Sequence, residues 1–264
     1  MIYRKNIKQF FRGDPTLLLH LSADDTLLFQ DGKLNVNWVQ NAVTYSKISH
    51  PIRAPKKVCY SFNGTTSYIT TSAFISALGN TARTILLWFR LKSNPSSPAH
   101  YKYLVGIGQT NATAQDFSLS ISDQSSANYY VYLRRYFEDQ RWLIAPLSSN
   151  FFLNRWRFLA LVYPGTVSGD LRLYIDCVFY PRDSGYSSGS VTFNTPSNYV
   201  DLGRNRAHAF GDVEISEFAL FNRALSFKEI TSYYNWVIKQ NKYFAFSEPS
   251  ISSLTRRRLL LSTN

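Results

Sequence analysis

The sequence has little cysteine, little acid and no long apolar run. Its 264 residues include only two cysteines, Cys59 and Cys177, far too few for the disulfide framework of a small secreted domain. Seventeen Asp and Glu stand against 29 Lys and Arg, a formal net charge of +12, which excludes an acidic solvating chain and favours anionic partners. No stretch approaches the roughly 18–20 consecutive apolar residues that a membrane-spanning helix needs. His20, His50, His100 and His208 are scattered without ligand spacing, and the two cysteines form no metal pattern. No metal is therefore expected. Gly106-x-Gly108 lacks the third glycine and the following helix of a dinucleotide fingerprint, and no phosphate-binding loop occurs, so no cofactor is expected. Arg4, Lys5, Lys8 and Arg12 interrupt the first residues where a secretory signal has an unbroken apolar core, so classical secretion is not expected.

What the chain does have is apolar and aromatic mass. Hydrophobic residues make up 45% and aromatics 16%, including 18 Tyr and 19 Phe, a composition that folds around a real core. From Leu17 to about Asn222 short β-type runs alternate with clusters of Gly, Ser, Asn and Pro. Twelve runs stand out: Leu17-Leu21, Val58-Phe62, Tyr68-Thr71, Thr84-Leu91, Tyr101-Ile107, Phe117-Ile121, Tyr129-Tyr136, Arg141-Ala145, Trp156-Tyr163, Leu171-Asp176, Tyr199-Leu202 and Val213-Phe221. They predict an all-β fold, a two-sheet antiparallel sandwich. One helix is predicted from Phe227 to Lys239, because Ser226 and Glu229 form a capping box and Ile230, Tyr233, Tyr234 and Val237 make an apolar stripe that should lie on the sandwich. Residues 1–16 read as a basic arm and 239–264 as a tail containing Arg256, Arg257 and Arg258.

Several blocks together resemble the laminin-G-like branch of the concanavalin A-like lectin/glucanase superfamily. Val58-Cys-Tyr-Ser-Phe62-Asn63-Gly64-Thr-Thr-Ser-Tyr68-Ile69 is similar to that family's strand, Asn-Gly turn and second strand, with Asn63-Gly64 expected to supply the positive φ angles of a tight hairpin turn. Thr84-Ile-Leu-Leu-Trp88-Phe-Arg-Leu91 follows as its Trp-bearing strand, and Trp156–Tyr163 with Leu171–Asp176 resembles its central hairpin. Leu202-Gly203, Phe210-Gly211-Asp212-Val213-Glu214-Ile215 and Phe221-Asn222-Arg223-Ala224-Leu225-Ser226 complete the pattern. The resemblance implies a jelly-roll domain over residues 17–238. It departs from the family at Asp176-Cys177, where Asp-Gly is usual, so a wider or bulged turn is expected. The superfamily includes lectins, glycosidases, adhesion modules and virion proteins, so function has to be read from the residues.

A retaining glycosidase needs two carboxylates about 5 Å apart on one face. Glu214 and Glu217 are three residues apart and on a regular strand point to opposite faces, and Glu138 and Asp139 diverge as neighbours. Hydrolysis is therefore disfavoured. Calcium-dependent relatives carry an acidic loop before the last block; here it holds Arg204, Arg206 and His208, which suits an anion, although a solvated loop explains the same residues. Along Tyr129–Tyr136, alternation puts Val131 and Leu133 toward the core and Tyr130, Tyr132, Arg134 and Tyr136 on the other face. With Trp142 on the next strand these form an aromatic platform suited to stacking sugar rings. Cross-strand pairing that merely stabilises the sheet accounts for them too.

The charge invites a nucleic-acid reading, but much of it sits in Arg4–Arg12 and Arg256–Arg258 and no basic recognition element appears, so sequence-specific binding is not expected. Ends of this kind suit tethering. A Ser-, Arg- and Leu-rich tail on a laminin-G-like domain resembles virus-encoded, particularly phage-encoded, structural proteins. The leading expectation is a non-enzymatic virion surface or decoration protein. It would be anchored to other structural proteins of a particle or fibre, with glycans as ligands and self-association open. A free-standing lectin is the alternative and a degenerate glycosidase the third reading. Asn63-Gly-Thr65 and Asn111-Ala-Thr113 match the glycosylation acceptor and are expected to stay bare.

Overall fold

The computed structural model describes residues 10, 11, 13–22, 38–47, 58–72, 75, 78–96, 100–108, 115–123, 127–134, 140–167, 170–183, 192–196, 198–205 and 209–247. The strands are β1 (Leu17–Ser22), β2 (Trp38–Asn41), β3 (Thr44–Lys47), β4 (Val58–Ser61), β5 (Tyr68–Thr71), β6 (Arg83–Leu91), β7 (Tyr101–Ile107), β8 (Ser118–Ser122), β9 (Asn128–Arg134), β10 (Gln140–Pro146), β11 (Arg157–Tyr163), β12 (Arg172–Ile175), β13 (Val178–Tyr180), β14 (Val200–Leu202) and β15 (Val213–Phe221). One sheet has the order β13-β12-β11-β6-β15-β4-β3, with β1 also on β15; the other has the order β10-β9-β8-β7-β14-β5-β2. All neighbours are antiparallel, so the expected sandwich is what forms.

Alternation along the strands fills the space between the sheets with Leu87, Phe89, Leu159, Leu161, Ile215 and Phe218 from the first sheet and Val105, Ile107, Leu119, Ile121, Val131 and Leu133 from the second. Burial of this apolar surface is the main stabilising term. Arg83 is also wholly buried. It donates to the carbonyls of Leu78, Gly79 and Thr81 and to the Thr195 hydroxyl, and its guanidinium lies 5.1 Å from the Phe117 ring centre and 5.4 Å from that of Tyr163. Burial lowers its pKa to about 10.

The helix, α1, runs from Phe227 to Ser247, eight residues past the predicted end. The capping box forms as expected: Ser226 N–H donates to a Glu229 carboxylate oxygen at 2.8 Å and Glu229 N–H donates to the Ser226 hydroxyl at 3.3 Å. Its Ile230, Tyr233 and Val237 are buried against Leu86, Trp88, Phe158, Ala219 and Phe221 on the outward face of the first sheet. Phe10 and Phe11, read from the sequence as part of a separate arm, pack into the same cluster, with Phe11 4.9 Å from Phe221. Arg223 ties these segments together, donating to Asp14 at 2.6 Å, Glu229 at 2.7 Å and Thr16 at 2.8 Å.

Two expected turns differ. Asn63-Gly64 does not close a hairpin, because β4 and β5 belong to opposite sheets. The Asn63 side-chain oxygen instead accepts from the backbone N–H groups of Thr65, Thr66 and Ser67, all within 3.0 Å, which shapes a crossing loop. Asp176-Cys177 is not wide or bulged: Ile175 pairs directly with Val178, and both turn residues take positive φ, 50° and 65°. The Asp176 carboxylate makes this tolerable by accepting from Phe158 N–H at 3.0 Å and from Arg157 at 2.6 Å.

Candidate functional site

Helix α1 covers the outward face of the first sheet, and that is where the two candidate carboxylates lie. β15 switches partner part-way, pairing with β4 at Glu214–Ile215 and with β1 from Glu217 onward, and a bulge at Ser216 accompanies the switch. The extra residue resets the alternation, so Glu214 and Glu217 share one face and do not diverge as the regular-strand reading required. They are nonetheless occupied. Glu214 is ion-paired with Arg90. Glu217, wholly buried, is bonded to His20 at 3.0 Å and accepts from the Tyr233 hydroxyl at 2.7 Å, to which Trp88 donates in turn at 3.2 Å. Burial and the Glu217 charge hold the Tyr233 hydroxyl well above its ordinary pKa. This arrangement fastens β1, β15 and α1 together.

The second sheet presents the other outward face. Val131 and Leu133 face the core as expected, and Tyr130, Tyr132 and Arg134 point outward. Tyr132 is wholly buried, however, while Tyr130 and Arg134 are partly exposed. Trp142 must be removed from the platform altogether: it pairs with Val131, so it shares that residue's inward direction and is wholly buried in the core. The β10 residues that face outward are Arg141, opposite Tyr132, and Leu143, opposite Tyr130 and 50% exposed.

Sequence reasoning missed the other half of this surface. Ser120 and Ser122 on β8 stand opposite Tyr132 and Tyr130 on one side and Tyr103 and Tyr101 on the other. Small side chains on the middle strand let the rings close over it, and Tyr101 meets Tyr132 edge to face at 5.5 Å. Arg134 donates to the Tyr103 hydroxyl at 2.8 Å and lies 5.5 Å from the Tyr101 ring centre. Arg141 lies 4.7 Å from the Tyr130 ring centre and is paired with Asp183 at 2.6 Å. Burial works against its charge, but hydrogen bonds to Asp183 and Tyr132 outweigh that and hold its pKa above the ordinary value. The period-two pattern Tyr101-x-Tyr103 facing Tyr130-x-Tyr132 was the available signal.

The expected anion-binding loop is altered too. Arg204 is buried over the Tyr68 ring, 3.3 Å from its centre, and paired with Asp201 at 3.4 Å, so its charge is already met. The loop can lie this close because Gly106 has no side chain: a Cβ there would sit 2.9 Å from the Arg204 carbonyl oxygen. Tyr136, Arg206, His208, Glu138, Asp139 and Asn111 lie outside the described residues, as do the tethering candidates Arg4, Lys5, Lys8, Arg12, Arg256, Arg257 and Arg258. Among the described residues no group of three or more His, Cys, Asp or Glu is placed to hold a metal, and no helix is long and apolar enough to cross a membrane.

Residues 63–231 match the family model described as the concanavalin A-like lectin/glucanases superfamily, in its laminin-G-like form. The chain belongs to this family. No curated protein matches this laminin-G-like chain. Among solved structures it is similar to the botulinum neurotoxin serotype D ligand-binding domain in complex with N-acetylneuraminic acid, at 12% identity and a TM-score of 0.57 over 83% of this chain and 50% of that one. It is also similar to domain 4 of AbnA, an extracellular arabinanase from Geobacillus stearothermophilus, in complex with arabinotriose, at 17% identity and a TM-score of 0.55 over 82% of this chain and 97% of that one. The laminin-G-like chain thus spans about half the length of the neurotoxin domains it matches. At these identities the likeness establishes the fold.

Proposed function

We propose that this laminin-G-like chain is a non-enzymatic binding module that takes a saccharide on the outward face of its second sheet, around Tyr101, Tyr130, Arg134, Arg141 and Leu143. The observation that carries the reading is the juxtaposition of partly exposed tyrosine rings with guanidinium groups on a face that no helix among the described residues covers. Rings of this kind stack on the C–H faces of sugars, and Arg and Tyr tips serve the hydroxyls. Domains of the same fold in complex with N-acetylneuraminic acid and with arabinotriose support it. The engagement of Glu214 by Arg90 and of Glu217 by His20 and Tyr233 supports the non-enzymatic part. A glycan array followed by calorimetry tests the site. Tyr130→Ala is expected to weaken binding about tenfold or more, since stacking on an aromatic platform is worth about 1–3 kcal/mol, and unchanged affinity would remove this face from consideration.

The net charge of +12 favours a second element of the reading. The module is carried on a particle or fibre, virion-like in kind, and is tethered through Arg4, Lys5, Lys8, Arg12 and Arg256–Arg258. Density-gradient proteomics should find the chain at fixed stoichiometry with an assembled shell, and release when Arg4, Lys5, Lys8, Arg12 and Arg256–Arg258 are all replaced by Ser; a chain found only in the soluble fractions refutes the tether.

A further inference from the structure

Resting on the saccharide reading above, we infer that the face on the second sheet selects an uncharged saccharide rather than an acidic one. Net charge alone points the other way, because a +12 protein attracts anions. The local arrangement opposes it. Among the described residues this face holds three guanidiniums, Arg134, Arg141 and Arg204, and three carboxylates, Asp116, Asp183 and Asp201, brought there by strand alternation and by the segment that runs beside β10.

Arg141 and Arg204 are directly paired with carboxylates. Arg141 is held by Asp183 at 2.6 Å with both side chains still partly exposed, and Arg204 by the wholly buried Asp201 at 3.4 Å. Arg134 donates to the Tyr103 hydroxyl at 2.8 Å and stands opposite Ser118, whose hydroxyl donates to Asp116. Seven of the 29 Lys and Arg residues behind that net charge, Arg4, Lys5, Lys8, Arg12 and Arg256–Arg258, belong to segments outside the described residues.

A sugar carboxylate or sulfate entering beside Arg141 or Arg204 must shed its hydration against a cation whose charge is already met, with Asp183 close by. That is a penalty with little Coulombic return. A neutral sugar gives up only hydroxyl hydration and recovers it from the Arg, Asp and Tyr polar atoms, while its C–H face lies on Tyr130, Tyr101 and Leu143. The fixed carboxylates therefore act as a filter against acidic ligands.

The test uses the full chain and two matched panels, neutral arabino-, galacto- and gluco-oligosaccharides against sialylated, uronate and sulfated ones of equal length, each at low and high salt. The expected result is capture of neutral sugars with affinity changing less than about twofold across the salt range and falling about tenfold or more in Tyr130→Ala. Asp183→Asn, which removes the carboxylate charge beside Arg141, should raise the affinity for acidic sugars at low salt. A preference for acidic sugars that is salt-sensitive and lost in Tyr130→Ala would overturn the inference while leaving the saccharide site in place. Failure of both panels to bind would overturn the saccharide reading and the inference with it.

Discussion

Tyr101 and Tyr132 meet edge to face at 5.5 Å although a whole strand, β8, lies between the strands that carry them. The contact exists because β8 offers only hydroxymethyl groups there. Ser120 is wholly buried beneath the rings, and its hydroxyl has no hydrogen-bond partner among the described residues. Ser120→Ala should therefore be neutral or stabilising, since a buried unpaired hydroxyl costs about 1–3 kcal/mol. Ser120→Leu should cost about 1–3 kcal/mol by forcing the rings apart. Urea unfolding of the two variants decides it, and a Leu variant as stable as the wild type would refute the packing argument.

Arg83 illustrates a buried charge satisfied by carbonyl oxygens and aromatic faces. Arg83→Met removes the Arg83 donor to the Thr81 carbonyl, while the Leu78 and Gly79 carbonyls keep donors from Thr81 and Thr195, so a loss of about 1–3 kcal/mol is expected in equilibrium unfolding. A loss below about 1 kcal/mol would mean that the Thr81 carbonyl finds another partner.

The Arg223 junction gives a pH signature. The Arg223 guanidinium, aided by Ser226, holds the Glu229 carboxyl at about 2 against an ordinary 4.5. Burial pushes the Asp14 carboxyl up, but hydrogen bonds from Arg223 and Thr16 outweigh it and leave it lowered. Both folded-state values lie below the unfolded ones, so the unfolded chain binds more protons on acidification. This stabilisation is complete above about pH 4.5 and fades as pH falls toward 2. Thermal unfolding of wild type and Glu229→Gln should differ at pH 7 and converge near pH 2; curves that stay parallel would exclude the linkage.

Burial, then the neighbouring Asp176, pushes the Cys177 thiol up to about 12. Thiolate is scarce at neutral pH, so iodoacetamide at pH 8 should leave Cys177 unmodified in the native protein and label it on denaturation. Cys59 is on β4, and β15, β6 and β11 separate that strand from β12, whose turn carries Cys177. At about 4.8 Å per strand the two are too distant to bridge, and gel mobility should not change on reduction. Rapid native labelling, or a mobility shift, would contradict these placements.

Much of the sandwich was legible because its signals are local. Ile230, Tyr233 and Val237 repeat at the helical period behind a capping box, and Val131 and Leu133 alternate with polar neighbours. What escaped depends on partners distant in sequence. Trp142 is aromatic whichever way it faces, and only pairing with Val131 turns it inward. Tyr132 looks like a surface residue until the serines of β8 let Tyr101 cover it. The shared face of Glu214 and Glu217 comes from one bulge residue, Ser216, placed where β15 changes neighbours. β13 is three residues long, too short to show a period.

Phe10 and Phe11 at the start of the described chain, and α1 at its end, lie together on the outward side of the first sheet. Phe10, Phe11 and the packed turns of α1 therefore share the back of the sandwich, and the tyrosine-paved sheet looks the opposite way. The separation of the two described ends from those rings is a property of the topology and requires no additional contact.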